Sequence, residues 1–396
     1  MKTYIIIGFL VFRALCFAQW TTISVVVNTN FQDVQFVNEN VGFVSGTLGA
    51  FLKTTDNGLT WANINNTGTL SSFKFHFPSE TVGYALGNNS LFKTVDQGTT
   101  WYSLPIINTF DKKNIFFINE STGFFLAAYG VIFKTTDGGI SWTNIQTNCD
   151  STIVEEDIHF ADQNTGYFGG WYGNCASKTI DGGATWQVLP NSLLYQIYSI
   201  YFPTATVGYM AGYSSGQMKG IQKTEDGGTT WVAQNTPTST YTSIFCIDTN
   251  TCYAVGPAGV IIKTTDGGTN WLQQYSGTSN NLRKIHCTDV NSCYAVGDSG
   301  TLLKTLNGGL GINEQILTNN EIVLYPNPSK DEITIQNNSA QQFLVTLYNV
   351  LGEKIMEKMI SSQINTIDLS NFSDNIYFYK VRNGNHEIKS GKIIKQ

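Results

Sequence analysis

The chain has 396 residues, of which 13% are charged, and its formal net charge at pH 7 is −6. Binding to nucleic acid would need clustered lysines and arginines to neutralise phosphates, and the sequence has no basic run of that kind, so we expect no nucleic-acid partner. The low charge is typical of a β-rich extracellular protein and not of a disordered chain.

The first 18 residues have the features of a secretory signal peptide. Lys2 supplies the positive start, residues 4–12 form the apolar run, and Ala18 is a small residue before the predicted cleavage site. No later stretch approaches the length of a membrane span. We therefore expect an exported protein without a transmembrane segment in its mature chain.

Residues 19–311 repeat one phrase, Lys-Thr-x-Asp-x-Gly-x-x-Trp. Its complete copies follow one another at intervals of 40 to 45 residues, and a seventh copy (residues 305–312) is incomplete. A fixed period of this length indicates a repeated supersecondary unit. The complete copies end at Trp61, Trp101, Trp142, Trp186, Trp231 and Trp271.

Each repeat contains four short segments rich in β-branched and aromatic residues. In the first repeat they are residues 31–38, 41–46, 50–55 and 60–64, each bounded by Gly, Asn or Asp. No repeat contains an apolar stripe of helical period. Four strands per unit predict an all-β protein built from propeller blades.

The repeated phrase fits the turn between the third and fourth strands. Its Asp can accept backbone N–H bonds, the Gly two residues later can take positive φ, and its Trp can fill the space between blades. We therefore assign a structural role to the phrase. Its aspartates are Asp56, Asp96, Asp137, Asp181, Asp226 and Asp266.

The seventh unit lacks its Trp and its fourth strand, and residues 20–23 match residues 142–145 of a complete unit. We expect the N-terminal strand to complete the last blade, in a three-plus-one closure that leaves no open edge. Truncation of residues 19–30 is then predicted to destabilise the whole ring.

The pattern Gly-Tyr-x-x-Gly followed by Lys-Thr-x-Asp-Gly-Gly-x-x-Trp resembles the Asp-box repeat of bacterial neuraminidases. It is still more similar to the propeller of photosystem II stability and assembly factors. The resemblance spans about residues 20–311 and implies a seven-bladed β-propeller. It implies no activity, because propellers of this type include both hydrolases and binding proteins.

Residues 312–320 form a predicted linker, and residues 321–396 contain Tyr325-Pro326-Asn327-Pro328, Leu347-Tyr348-Asn349 and a basic end, Lys392 to Lys395. This segment resembles the C-terminal sorting domain of type IX secretion cargo, although Asn375 stands where that family usually has Gly. The resemblance implies a small β-sandwich, the type IX machinery as partner, and delivery to the outer surface of a Gram-negative cell or into the medium.

Six cysteines remain after removal of the signal peptide. Because the predicted compartment is oxidising, we interpret them as disulfides, and the metal-site alternative lacks a CxxC motif or nearby histidines. The repeat alignment pairs Cys246 with Cys252 and Cys287 with Cys293, and leaves Cys149 with Cys175. We expect no metal and no other cofactor.

Candidate catalytic residues are few. A sialidase needs an arginine cluster, and the chain has only Arg13, Arg283 and Arg382. Another hydrolase could use a pair of carboxylates, for which residues 155–157 with His159 and Asp162 are the densest group. That group also fits a solvated loop before a strand, which is the interpretation we favour, and we assign no catalytic residue.

The three propeller histidines occupy one aligned position in the first strand of their repeats. First strands of blades lie nearest the axis, so this position is predicted to line the central channel. A shared zinc is disfavoured because the three blades are not neighbours. Across the repeats the position holds Gln35, His76, Phe116, His159, Tyr201, Phe245 and His286.

The fourth and fifth repeats carry long loops, residues 169–178 and 212–220, on the face opposite the Asp-box turns. Aromatic residues there suit recognition of a glycan, peptide or protein, although they could instead pack the loops together. We therefore predict a non-enzymatic binding or adhesion module, with a carboxylate hydrolase as the alternative. The candidate ligand-binding residues are Trp171, Tyr172, Tyr195, Tyr198 and Tyr213.

Overall fold

The structure is a computed structural model, and it describes residues 20–25, 27, 29–64, 74–87, 90–105, 112–127, 131–147, 154–171, 176–189, 194–214, 220–309, 322–325, 328–337, 342–362, 364–383 and 386–395. The chain divides into two compact units, one ending at Gly309 and one beginning at Leu310. The predicted signal peptide and linker lie outside the described residues, so their boundaries stay predictions.

The first unit consists of short antiparallel strands, which we group in fours as blades 1 to 7 along the chain. The strands of blades 1 to 3 are β2 (Phe31–Phe36), β3 (Gly42–Gly46), β4 (Phe51–Thr54), β5 (Ala62–Asn63), β6 (Lys74–His76), β7 (Gly83–Leu86), β8 (Leu91–Thr94), β9 (Tyr102–Leu104), β10 (Lys112–Phe117), β11 (Gly123–Ala127), β12 (Val131–Thr135) and β13 (Thr143–Gln146). Short 3-10 turns lie at Thr47–Gly49 and Pro257–Gly259.

Blades 4 to 6 follow the same order. Their strands are β14 (Val154–Phe160), β15 (Gly166–Trp171), β16 (Ala176–Thr179), β17 (Gln187–Val188), β18 (Gln196–Tyr201), β19 (Gly208–Tyr213), β20 (Ile221–Thr224), β21 (Val232–Ala233), β22 (Ser243–Cys246), β23 (Cys252–Val255), β24 (Ile261–Thr264) and β25 (Leu272–Gln274). Blades 4 and 5 are joined by one further pairing, between Trp171 and Gln196, so their strands form a single larger sheet.

Blade 7 takes its outer strand from the start of the chain. It contains β26 (Leu282–Cys287), β27 (Cys293–Gly297) and β28 (Leu302–Thr305), and the N-terminal strand β1 (Thr21–Thr22) pairs antiparallel with β28. The pairing continues where the Ile23 N–H donates to the Leu302 carbonyl at 2.8 Å. This arrangement fits a seven-bladed propeller with the predicted three-plus-one closure.

The Asp-box turns have the hydrogen bonds that the phrase predicted. In blade 1, Oδ1 of Asp56 accepts the Thr60 N–H at 2.9 Å, and Oδ2 accepts the Thr60 hydroxyl at 2.6 Å. The hydroxyl of Thr54 accepts the N–H of Gly58, whose φ of 70° favours glycine. The hydrogen bonds that Asp56 accepts, that of the Thr60 hydroxyl above all, lower its pKa to about 2.

The lysine that opens the phrase joins neighbouring blades. In blade 3 the ammonium of Lys134 lies 5.7 Å from the ring centroid of Phe124 and donates to the Gly182 carbonyl of the next box turn at 2.8 Å. The phrase tryptophan also lies between blades, as predicted. Trp101 packs edge-on against Phe51 of blade 1 and Phe77 of blade 2, with centroid distances of 5.4 and 5.9 Å.

The second unit is a small β-sandwich, as the resemblance implied. A three-stranded sheet and a four-stranded sheet contribute to one apolar core, which includes Ile335, Val345 and Val381. No helix in the described parts of the chain is long and apolar enough to cross a membrane. The strands are β29 (Ile322–Tyr325), β30 (Glu332–Asn337), β31 (Phe343–Tyr348), β32 (Lys354–Ile360), β33 (Ile364–Asp368), β34 (Asn375–Asn383) and β35 (His386–Lys395). The three-stranded sheet has the order β29-β30-β33, and the four-stranded sheet has the order β32-β31-β34-β35.

Candidate functional site

The first strands of the seven blades surround a cavity of about 300 Å³, which we call the axial pocket. One polar or aromatic position of the first strand lines it in every blade, and in five blades a second, polar position does so as well. The ring column is the position that contains the three histidines, so the prediction that they line the central channel is confirmed. The polar column lies two residues earlier and consists of Asp33, Lys74, Asn114, Asp157, Ser199, Ser243 and Lys284.

The ring column connects each histidine to the next blade. Nδ1 of His76 accepts the Phe117 N–H at 3.2 Å, and Nδ1 of His159 accepts the Phe202 N–H at 3.3 Å. His286 accepts the Phe36 N–H at 3.4 Å, across the junction between blades 7 and 1. Because a backbone N–H can only donate, Nδ1 of each imidazole must be unprotonated.

Gln35 occupies the ring column in blade 1 and makes the equivalent contact with an amide. Its Oε1 accepts the Phe77 N–H at 3.1 Å, and its Nε2 donates to the Phe77 carbonyl at 3.3 Å. Both polar atoms of this side chain are therefore bonded to the next blade. A glutamine can therefore make the inter-blade bond that a histidine makes at this position, without presenting an imidazole N–H to the axis.

Protein surrounds the imidazoles on most sides, which disfavours their charged form. Burial, with a smaller contribution from the positive charge of Lys284, lowers the pKa of His76 and His286 to about 3 and that of His159 to about 4. Asp157 partly opposes the shift at His159. All three histidines are thus neutral at pH 7.

Aromatic rings fill the rest of the ring column and pack against the histidines. The ring centroids of His76 and Phe116 are 4.3 Å apart, those of His159 and Tyr201 are 4.3 Å apart, and those of Phe245 and His286 are 4.8 Å apart. The ring column therefore forms a nearly continuous aromatic belt around the axis.

β-Bulges position the polar column. In five blades the register between the first and second strands shifts immediately before this column, for example between Glu155 and Asp157. A bulge leaves one residue unpaired and re-aims the side chains on either side of it. The five polar side chains that follow a bulge line the axial pocket, whereas Lys74 and Ser243 do not.

Asp157 is the most heavily bonded side chain of the polar column. Its Oδ1 accepts Asn114 Nδ2 at 2.8 Å and the Ile158 N–H at 3.1 Å, and its Oδ2 accepts the Ile200 N–H at 3.0 Å. Our interpretation of residues 155–157 as a solvated loop is wrong for this residue, because Asp157 is buried within strand β14. Its carboxylate is therefore stabilised by donors from its own blade and from the blades before and after it, in place of water.

Lys284 extends into the axial pocket from blade 7. Among the described residues, none forms a hydrogen bond or close ion pair with its ammonium group. Burial alone would lower its pKa, but the negative charges of Asp157 and Asp33 together outweigh burial and raise it. Lys284 is therefore a charged, unpaired cation inside the propeller.

Three of the five predicted ligand-binding aromatics lie in or next to β18 and at the end of β19. Tyr195 and Tyr213, 46% and 37% exposed, form an edge-to-face contact with ring centroids 6.4 Å apart, and we call them the tyrosine pair. The half-buried Tyr198 donates its hydroxyl to Oε1 of Gln196. Tyr172 and the side chain of Trp171 lie outside the described residues. Their roles in binding stay predictions.

Two of the three predicted disulfides are present. Cys246 is bonded to Cys252 and Cys287 to Cys293, each across the hairpin between the first two strands of its blade. Cys149 and Cys175 lie outside the described residues. In the described parts of the chain, no group of three or more His, Cys, Asp and Glu side chains could hold a metal ion.

Comparison with known protein families gives two matches. Residues 13–148 match the family described as photosynthesis system II assembly factor YCF48, and residues 323–396 match the secretion system C-terminal sorting domain. The chain therefore combines a propeller of YCF48-like repeats with a type IX sorting domain. That domain implies handling by the type IX machinery and export to the cell surface or beyond. A search of curated proteins gave no match.

Solved structures with the same fold are distant in sequence. YCF48 bound to a D1 peptide is 18% identical with a TM-score of 0.62, and the match covers 74% of this chain and 99% of that one. YCF48 from Cyanidioschyzon merolae is 19% identical with a TM-score of 0.60, covering 73% and 98% of the two chains. PorZ, a surface component of the type IX secretion system of Porphyromonas gingivalis, is 14% identical with a TM-score of 0.58, covering 94% and 61%. These similarities show the fold alone.

Proposed function

We propose that this protein is a non-enzymatic binding module, exported through its sorting domain, whose ligand contacts the long-loop face of blades 4 and 5. The observation that supports the proposal is the tyrosine pair. Two exposed rings stand at the ends of paired strands, where the Tyr195 N–H donates to the Tyr213 carbonyl at 3.0 Å. Exposed aromatic side chains on a rigid scaffold are favourable contacts for sugars and for protein chains.

The alternative is a hydrolase that uses two carboxylates, and the geometry of the axial pocket supports it less well. Asp33 and Asp157 are the buried carboxylates there. Three hydrogen bonds from the protein occupy the oxygens of Asp157, so its use as a general base would break a contact between blades 4 and 5. A catalytic base should instead be accessible to the proton that it removes.

The test compares binding of the purified chain and its variants to glycan and peptide arrays. We expect the double variant Tyr195→Ala/Tyr213→Ala to bind at least about tenfold more weakly than the wild type, because two contact rings are removed. Tyr102→Ala is the matched control, since Tyr102 is 43% exposed but belongs to blade 2.

Three outcomes would contradict the proposal. Unchanged binding by the double variant would move the ligand to another surface. Equal losses in the double variant and in Tyr102→Ala would indicate a general effect of the substitutions. Release of reducing sugar from a bound glycan, abolished by Asp157→Asn in a folded protein, would establish the hydrolase.

A further inference from the structure

The axial pocket contains hydrogen-bond donors that the protein itself does not use. Because Nδ1 of His76, His159 and His286 accepts a backbone N–H, the single proton of each neutral imidazole is on Nε2. Among the described residues none accepts a hydrogen bond from these Nε2–H groups or from the Tyr201 hydroxyl. Four donors on the lining are thus available to a ligand.

Lys284 adds a positive charge to these donors. Lys284 and the three histidines all line the axial pocket, so its charge faces the same cavity as their Nε2–H groups. The charges of Asp157 and Asp33 keep the Lys284 ammonium protonated, but none of the described residues accepts a hydrogen bond from it. An acceptor that enters the pocket would supply the missing contact.

The acceptors in the pocket are mostly occupied already. Both oxygens of Asp157 accept hydrogen bonds from the protein, and Oδ1 of Asp33 accepts the Val34 N–H at 3.0 Å. Donors therefore outnumber free acceptors, which favours a ligand rich in acceptor oxygens. The two carboxylates would repel a dianion more strongly than a monoanion. This charge balance favours a carboxylate over a phosphate.

The rest of the lining is aromatic and apolar. Phe116 and Phe245 belong to the aromatic belt, and Ile115 and Ile285 also line the pocket. A volume of about 300 Å³ is at the lower end of the range for small-molecule sites. We propose that the axial pocket binds a small organic acid, with Lys284 and the histidine Nε2–H groups holding its carboxylate and the aromatic belt contacting its apolar body.

Isothermal titration calorimetry of the full chain with sodium benzoate tests this site. We expect saturable one-to-one binding at pH 7, with benzamide, the neutral analogue, and inorganic phosphate each binding at least about tenfold more weakly. Lys284→Met removes the charge and should weaken benzoate binding at least about tenfold. Lys284→Arg keeps the charge and should retain most of the affinity.

Two further variants make the test independent of any folding defect in Lys284→Met. His159→Gln keeps an inter-blade bond of the kind that Gln35 makes, removes the imidazole Nε2–H from the pocket, and should weaken benzoate binding by about tenfold. Lys74→Met is the matched control, because Lys74 belongs to the polar column but does not line the pocket. It should bind benzoate as the wild type does.

The proposal is wrong if benzoate does not bind, if benzamide or phosphate binds as well as benzoate, or if folded Lys284→Met and His159→Gln both bind normally. The tyrosine pair does not enter these experiments. A failed array test with successful benzoate binding would thus reject only the proposed ligand surface, and the reverse result would reject only the axial site.

Discussion

Trp20 provides a direct test of ring closure through the N-terminal strand. Its side chain is fully buried, and it packs edge-on against Tyr253 of blade 6 with ring centroids 6.4 Å apart. Its Nε1 donates to Oε1 of Gln274 at 2.8 Å, in a buried hydrogen bond between the N-terminal segment and blade 6. Trp20 therefore supplies to blade 7 the tryptophan that the incomplete seventh repeat lacks.

The variant Trp20→Ala should destabilise the propeller by at least about 3 kcal/mol. Truncation of a buried Trp costs about 3–5 kcal/mol through lost burial and the cavity that remains. The unpaired Oε1 of Gln274 adds about 1–3 kcal/mol, although the two effects overlap. Trp20→Phe keeps most of the apolar volume and loses the hydrogen bond, so its free energy of unfolding should lie between those of Trp20→Ala and the wild type.

Urea unfolding followed by far-UV circular dichroism measures these differences as shifts in midpoint. Thr22→Ala is the matched control, because Thr22 is exposed on the same strand and should change the free energy of unfolding by less than about 0.5 kcal/mol. If Trp20→Ala lies within about 1 kcal/mol of the wild type, the N-terminal strand does not stabilise the ring.

Two further predictions concern titratable groups. The pKa of each channel histidine is about 3 to 4 in the folded protein and 6.5 in the unfolded chain. The contribution of these histidines to the free energy of unfolding is therefore fully present above pH 6.5 and is lost as the pH drops towards 4. The free energy of unfolding should fall by up to about 1.4 kcal/mol per pH unit for each histidine, and His76→Gln should make this dependence less steep. Urea titrations between pH 7 and pH 5 that give the same pH dependence for the variant and the wild type would contradict this. In the Asp box, Asp137→Ala should lower the melting temperature more than Asp137→Asn, because Asn307 already serves the same turn in blade 7, where its Oδ1 accepts the Thr305 hydroxyl at 2.9 Å. Equal melting temperatures for the two variants would show that the side-chain acceptor is unimportant.

The repeat determined the parts of the structure that recur in every blade. The four-strand unit, the box turn, the position of the tryptophan and the alignment of the histidines at the axis all follow from local pattern. The sequence also predicted the disulfides Cys246–Cys252 and Cys287–Cys293, because each pair flanks one hairpin. These features depend on residues that are close in sequence or equivalent between copies.

The polar column was missed because its geometry depends on bulges and on neighbouring blades. The one-residue register shift between β14 and β15 before Asp157 cannot be recognised from the pattern of apolar residues, so this aspartate was interpreted as part of a solvated loop. Its partners, Asn114 and the backbone of Ile200, belong to the blades before and after it. The acceptor role of each histidine Nδ1 likewise depends on the next blade.

The inter-blade bonds couple the stability of the ring to the chemistry of the axial pocket. Each backbone N–H that reaches an imidazole Nδ1 fixes the proton on Nε2, and so determines that the histidine presents a donor to the axis. Protonation of Nδ1 would add a positive charge and at the same time turn the acceptor of an inter-blade bond into a second donor. The donor arrangement that we assign to the pocket is therefore confined to the pH range in which the ring itself is stable. Replacing His286 with Gln should remove the imidazole Nε2–H from the pocket and one source of acid sensitivity together, because both depend on the single contact with the Phe36 N–H.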